Sequence, residues 1–323
     1  MIIAKSPLRI SIGGGGTDLP SYYRVKKGYL ISAAIDKYVY VTITKPFSKG
    51  IYLKYSKIEK TKSINQIKHP IIRETLKTYD KIDQIEITTL ADIPAGTGLG
   101  SSGSFTTALI KALNLYFRIN QSEKEIAEKA FEIEANKLKQ PVGKQDQYVA
   151  AYGGINEYIF EKNNSVKVKK LQITDEISHV LEENLLIFFT GFSRSSSSIL
   201  KDQNNKSLRG NKNITKNLDY IKDLGLRIKS ALEDNNLESF GYLLDEHWMR
   251  KKNRFNKMSN TKIDKWYDIA KKNGAIGGKL VGAGGGGFLM FYANDKIKLR
   301  KAMNRIGLRE VRFKFDFQGT RII

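Results

Sequence analysis

The densest chemical potential in the chain lies in ten residues, Pro94-Ala95-Gly96-Thr97-Gly98-Leu99-Gly100-Ser101-Ser102-Gly103. Glycine lets a main chain approach a ligand closely and adopt positive φ. Where a helix starts behind such a turn, its first N–H groups point outward and its dipole favours an anion. Two serines add hydroxyls for a phosphate or a metal ion. The pattern predicts a phosphate cradle, because four glycines and two serines exceed what a tight turn needs. A Walker A sequence is absent. Gly98-x-Gly100-x-x-Gly103 fits the dinucleotide fingerprint, but so does Gly282-x-Gly284-x-x-Gly287. The acids some twenty residues past the first, Glu123 and Glu125, open a helix instead of ending a strand, against a ribose-binding role.

Two further glycine runs stand apart. In Arg9-Ile10-Ser11-Ile12-Gly13-Gly14-Gly15-Gly16-Thr17-Asp18, a strand pattern meets a hydroxyl and a carboxylate. Asp18 could accept hydrogen bonds from adjacent sugar hydroxyls; the alternative is that Thr17 or Asp18 caps a helix from Pro20. The run Gly277–Gly287 is either a structural hairpin loop or a close approach to a ligand or to the other cradle. Among the acids, Glu134 with a cradle serine could supply magnesium's oxygen ligands. Asp146 could accept a proton from an attacking hydroxyl, and Lys144 could neutralise phosphate charge.

The elements that must hold these residues read as mixed α and β. Strands are expected at Ala4–Ile12, Tyr29–Ile35, Tyr38–Thr44 and Ile85–Ala91, from their β-branched and aromatic content. A helix follows the cradle with Phe105, Leu109, Ala112, Leu113 and Tyr116 on one face. A second helix starts at the capping box Ser122-Glu123-Lys124-Glu125. Strands at Ile155–Phe160 and Lys167–Ile173 come next, then Leu185–Thr190. The stretch from Arg194 to about Lys272 reads as helical. Strands at Ala275–Val281 and Phe288–Ala293, a helix near Asp295–Ile306 and a strand at Glu310–Phe317 complete the chain. A domain boundary is expected near residue 180, dividing 1–180 from 181–323.

Composition narrows the classes. The 323 residues hold no cysteine and three histidines, which excludes a disulfide scaffold, a thiolate nucleophile and a Cys-ligated zinc. The longest strongly apolar stretch, Leu185–Phe189, is far below the roughly 18 residues of a membrane span. The opening residues lack a basic segment followed by an apolar run, so the expectation is a cytoplasmic protein. The net charge of +22 comes from 55 Lys and Arg against 33 Asp and Glu. It suits anionic small substrates or nucleic acid. The lysines are scattered instead of massed in an arm, and no nucleic-acid motif accompanies them. The expectation is therefore neither a nucleic-acid nor a membrane partner, with an RNA-binding protein as the alternative of another class.

The three glycine segments, in this order, resemble the three motifs of the GHMP kinase superfamily. Pro94–Ser102 is similar to its P-x-G-x-G-L-G-S-S motif, with Gly103 where alanine is commoner. The start Pro7-Leu8-Arg9-Ile10-Ser11 to Asp18 resembles the branch that phosphorylates the anomeric hydroxyl of sugars, and especially the family of D-glycero-D-manno-heptose 7-phosphate kinases. The resemblance implies an α+β fold, with a ribosomal-protein-like N-terminal domain and a ferredoxin-like C-terminal domain. It implies ATP and Mg2+ as cofactors and formation of a heptose 1,7-bisphosphate for nucleotide-activated heptose synthesis and surface polysaccharide. A free hexose such as mannose, fucose or galactose is the alternative acceptor. Pro94, Gly96, Gly98, Leu99, Gly100, Ser101 and Ser102 would cradle ATP phosphates, with Ser102 and Glu134 on the metal. Asp146 would stand at the catalytic position, with Lys144 beside it. Arg9, Gly15, Gly16, Thr17, Asp18, Gly282, Gly284 and Gly285 would line the acceptor side. Arg194, beside four serines, is the preferred group for a 7-phosphate, ahead of Lys144, Arg24 and Lys279. A homodimer is compatible with the family.

Overall fold

The computed structural model describes residues 1–79, 82–192, 201–202, 204, 211–253 and 258–323. The chain opens with β1 (Ile2–Gly14), a single-turn α1 (Pro20–Tyr23) and β2 (Gly28–Thr44). A hairpin of β3 (Gly50–Lys54) and β4 (Ile58–Thr61) leads through α2 (Pro70–Leu76) to β5 (Gln84–Ala91). The helices α3 (Ser101–Tyr116), α4 (Glu123–Phe131) and α5 (Gln145–Tyr152) follow, then β6 (Ile155–Phe160) and β7 (Val166–Lys170). Beyond α6 (Asp175–Asn184) lie β8 (Leu185–Phe189), α7 (Lys212–Glu233), α8 (Leu237–Lys252) and α9 (Thr261–Lys272). Last come β9 (Ala275–Leu280), β10 (Phe288–Ala293), α10 (Lys296–Arg305), β11 (Arg309–Val311) and β12 (Arg321–Ile322).

The first sheet runs β12-β1-β2-β5-β3-β4, with β6 and β7 attached through β2. The two strands expected at 29–35 and 38–44 are one strand. Along one edge β2 pairs with β1, with irregularities in the register; on the other it pairs with β6 over Gly28–Ala33 and with β5 over Val39–Thr44. The polar Asp36-Lys37 step, which looked like a break, marks that change of partner. The second sheet is antiparallel, ordered β11-β8-β10-β9. Counted within itself that order is 4-1-3-2, the split β-α-β-β-α-β arrangement of ferredoxin-like folds.

The strand expected at Glu310–Phe317 is confined to Arg309–Val311. Phe315 then makes one bridge to Ile35, and Asp316 Oδ1 accepts from the amides of Gln318 and Gly319. That turn delivers β12 to β1, so the C-terminus closes the first sheet. Residue 180 falls inside α6. The largest apolar cluster joins Leu8, Ile10 and Ile12 of β1 to Ile187, Phe288 and Met290 of the second sheet through Ile221, Leu224 and Ile228 of α7. One continuous core thus fixes the two sheets against each other, and the glycine loops lie along that seam. Among the described residues no helix is long and apolar enough to cross a membrane.

Candidate active site

The expected cradle is a left-handed turn between β5 and α3. Gly96, Gly98 and Gly100 have φ of 79°, 83° and 82°. Gly100 is the N-cap of α3, and no side chain caps that helix. Its first turn therefore presents uncapped main chain, and a dipole that favours anions, to the cleft. Leu99 does not line the cleft: its side chain is buried in the core, and its carbonyl accepts from Arg9 N at 2.9 Å. Pro94 stands outside too, its carbonyl accepting from Thr97 Oγ1 at 3.0 Å. The glycine at 103 has a steric reason, since a Cβ there would lie 2.8 Å from that of Asp146. Its absence lets the first turns of α3 and α5 close together.

Asp146 sits in that first turn of α5. Arg9, buried on β1, places Nε at 2.8 Å and Nη2 at 2.7 Å from Asp146 Oδ1, and donates through Nη1 to Gly98 O. One guanidinium thus ties the carboxylate to the cradle, while the Asp146 side chain stays 31% exposed. Asp18 is buried and accepts from Gln145 N at 3.2 Å. Burial first, and the charge of Asp146 second, push its carboxyl up to about 6.

Glu134 lies in a π-helical turn, Glu132–Lys137, that continues α4 and aims the side chain inward. It is fully buried, and Gln147 Nε2 donates to Oε1 at 3.0 Å. Burial pushes it up to about 6, an effect partly offset by Gln147 and by the hydroxyls of Ser102 and Thr106. Glu134 Oε2 and Ser101 Oγ are buried with no hydrogen-bond partner. A buried carboxylate oxygen and a buried cradle hydroxyl left unpartnered are costly without a ligand. One carboxylate plus hydroxyls, with phosphate oxygens completing the shell, suits Mg2+, which seldom takes an all-protein cage. Among the described residues no cluster of three His, Asp or Glu competes for it.

The cleft holds about 690 Å3. Its walls include the cradle, Phe105, Gly14–Gly16, Asp18, Gly282–Gly284 and Gly286. The third glycine segment packs on the first: a Cβ on Gly282 would lie 2.6 Å from Gly98 O. Several expected site residues lie elsewhere. Thr17 is fully buried and spends its hydroxyl on the main chain of Tyr29, donating to O at 2.9 Å and accepting from N at 3.0 Å. Nor does it cap α1, whose N-cap is Leu19 with no side-chain bond. Gly285 is buried, its N–H on Met258 O. Lys144 points away from Asp146, into a separate open groove, where its ammonium contacts Glu128 and Asn164 O. Arg24 donates to Asn164 Oδ1 in that groove, and Lys279 is buried on Ile12 O. Arg194 lies outside the described residues.

Four side chains at the site escaped sequence reasoning. Gln145 and Gln147 flank Asp146; the main-chain N–H of Gln145 holds Asp18 while its amide donates to Ser32 Oγ, and the Gln147 amide holds Glu134. His247 and Lys251, one turn apart on α8, line the cleft from the far domain. The i, i+4 spacing of His247 and Lys251 was the available signal, hidden in a basic helix end.

Residues 65–154 match the model for the GHMP kinases N terminal domain, and residues 228–309 that for GHMP kinases C terminal. The chain is 31% identical to D-glycero-alpha-D-manno-heptose 7-phosphate kinase of Campylobacter jejuni, over 99% of this chain and 97% of that one. It is 26% identical to a galactokinase of Pyrococcus furiosus, over 98% and 96%. A crystal structure of a D-glycero-D-manno-heptose 1-phosphate kinase from Bacteroides thetaiotaomicron superposes with a TM-score of 0.83 at 26% identity, covering 100% of this chain and 99% of that one.

Proposed function

The chain belongs to the GHMP kinases, and from that membership and the cleft's geometry we propose that it phosphorylates the anomeric hydroxyl of D-glycero-D-manno-heptose 7-phosphate at the expense of ATP. Membership makes it a phosphotransferase with an alcohol acceptor, a sugar in the relatives named above. The observation that carries the finer reading is the Asp146 carboxylate, pinned by Arg9 beside the cradle and facing the same cleft as Asp18. Main-chain amides of Gly96–Ser102 bind the triphosphate. Glu134 and Ser102 hold Mg2+, which supplies charge neutralisation on the phosphate oxygens. Asp18 accepts hydrogen bonds from sugar hydroxyls and orients the ring. Asp146 aligns the 1-hydroxyl and takes its proton as the oxygen attacks the γ-phosphorus and the bond to ADP breaks. Positioning and electrostatics carry most of such a transfer.

The relatives' names differ in where the acceptor already bears phosphate, position 7 or position 1. Either way the acceptor is anionic, which the net charge of +22 favours. A cytoplasmic location, where ATP is made, is part of this proposal. Purified enzyme with Mg-ATP should turn over heptose 7-phosphate, and phosphorus NMR should show the new phosphate on C1. Turnover of heptose 1-phosphate alone would move the reaction to the other end of the sugar. Turnover of free mannose, fucose or galactose alone would overturn the sugar-phosphate reading.

A further inference from the structure

The cleft's acceptor wall is made of two glycine loops from different sheets, and one helix reaches both. His247 on α8 is buried with Nε2 2.8 Å from Gly14 O. One turn later, buried Lys251 donates through Nζ to Leu280 O at 2.9 Å and to Gly282 O. Gly14 and Gly282 have φ of 71° and 80°, so their carbonyls point where ordinary residues could not readily aim them. The helix between these grips is rigidly seated. Trp248 is fully buried against Tyr267, and a Cβ on Gly277 of β9 would lie 2.0 Å from Gly241 O of α8.

Packing alone does not call for these side chains. An ammonium taken out of water is costly unless acceptors surround it, and a methionine would fill the same space. Bonds that offset this cost go to the carbonyls of Gly14, of Gly282 and of Leu280 at the end of β9, where the main chain shapes the cleft. We propose that His247 and Lys251 are positioning residues for phosphoryl transfer. Together they set the separation and carbonyl orientation of Gly14–Gly16 and Gly282–Gly284, and so hold the acceptor in line with the cradle. This rests on the kinase reading above; the grip itself is testable without substrate.

Substrate-free hydrogen exchange is read first, on Lys251→Met, His247→Leu and the donor-retaining His247→Gln. Lys251→Met should speed exchange within 280–288, and His247→Leu within 13–18, each leaving the cradle residues 96–103 unchanged. Unchanged exchange in both loops overturns the bracket whatever the enzyme's substrate proves to be. In steady state, each of those two variants should raise the acceptor KM and lower kcat by about tenfold, with the calorimetric Kd for Mg-nucleotide held within about threefold. His247→Gln should recover most of the loss, because its amide can still donate to Gly14 O. Equal loss of nucleotide and acceptor binding, or a Gln variant as impaired as Leu, overturns a positioning role. Should one variant fail to fold, the other site still decides. A wild type that turns over no sugar phosphate, with the exchange pattern intact, refutes the substrate and leaves the bracket standing.

Discussion

The two walls of the cleft are built by different means. The cradle wall is one contiguous stretch, Gly96–Gly103, whose ligand groups are main-chain amides released by glycine and by a helix start without a side-chain cap. The acceptor wall is assembled from Gly14–Gly16, Asp18, Gln145, the α8 pair His247 and Lys251, Gly282–Gly284 and Gly286, segments spread over more than two hundred residues of chain. A site made of backbone must spell out its conformation locally, because only glycine tolerates the required φ. A wall of two glycine loops held together by side chains far off in sequence need not leave any local trace of what holds it.

The largest test of that division is Asp146→Asn, which touches the point where the walls meet. Turnover should fall by about a hundredfold or more, as for loss of an acid–base group, while Mg-ATP affinity stays within about threefold. Equal loss of both would mean that the Arg9–Asp146 pair serves chiefly to brace the cradle, and the division fails. Next in size is a contrast of glycines. Gly98→Ala forces a Cβ to 2.8 Å from Val281 O at φ +83°; Gly15→Ala, at φ +112°, meets only Ser11 Oγ at 3.6 Å. Both substitutions are strained by their positive φ, but the strain at Gly15 falls on the acceptor wall, so nucleotide binding should weaken about thirtyfold in Gly98→Ala and stay within about twofold in Gly15→Ala. Calorimetry on both variants checks this; matching losses would show that the two walls act as one binding unit.

The same contrast explains what could be read from residues alone. Pattern located the cradle, the capping box at Ser122 and most strands, because each is a local agreement between residue type and backbone. Adjacency misled at Thr17 and Lys144. Both are one or two residues from a cleft carboxylate, yet Thr17 turns its hydroxyl to the Tyr29 main chain and Lys144 leaves the site. Glu134 was readable as an acid on a helix, but not the π-turn that rotates it inward, nor Gln147 holding it. The β3–β4 hairpin, α2 and α6 carry periodicities too short to stand out. Nothing near Gly14 in sequence points to His247.

A third test asks whether the acceptor wall is as dry as its side chains imply. Burial and Asp146 raise the Asp18 carboxyl from an ordinary 3.8 to about 6. Between those values the folded protein keeps a proton that the unfolded chain has released, so Asp18 withdraws stability as pH rises through that window. Above it the folded state bears the whole cost of the buried charge. Asp18→Asn keeps an acceptor for Gln145 N without the charge. It should therefore be more stable than the wild type at pH 8 by about 3 kcal/mol, with the difference vanishing near pH 4. Urea unfolding at both values measures it; no gain at pH 8 would mean that the wall is wet.

The smallest effect on catalysis is expected at Lys144→Met, and it separates nearness in sequence from nearness in the fold. Lys144 is the N-cap of α5 and Asp146 its second residue. Two helical steps turn a side chain by about 200°, so the two residues face opposite sides of the helix. Asp146 meets Arg9 and the cleft, whereas the Lys144 ammonium meets both Glu128 oxygens and Asn164 O in the outer groove. Removing it takes the cation from a half-exposed carboxylate that still accepts from Tyr148, and stability should fall by about 1 kcal/mol. Turnover and acceptor KM should stay within about twofold at a temperature where the variant is folded, since nothing in the cleft moves. A Lys144→Met enzyme that folds fully but loses turnover as Asp146→Asn does would put the ammonium back at the reacting phosphate. That result would require α5 to rotate when substrates bind, carrying Asp146 away from Arg9.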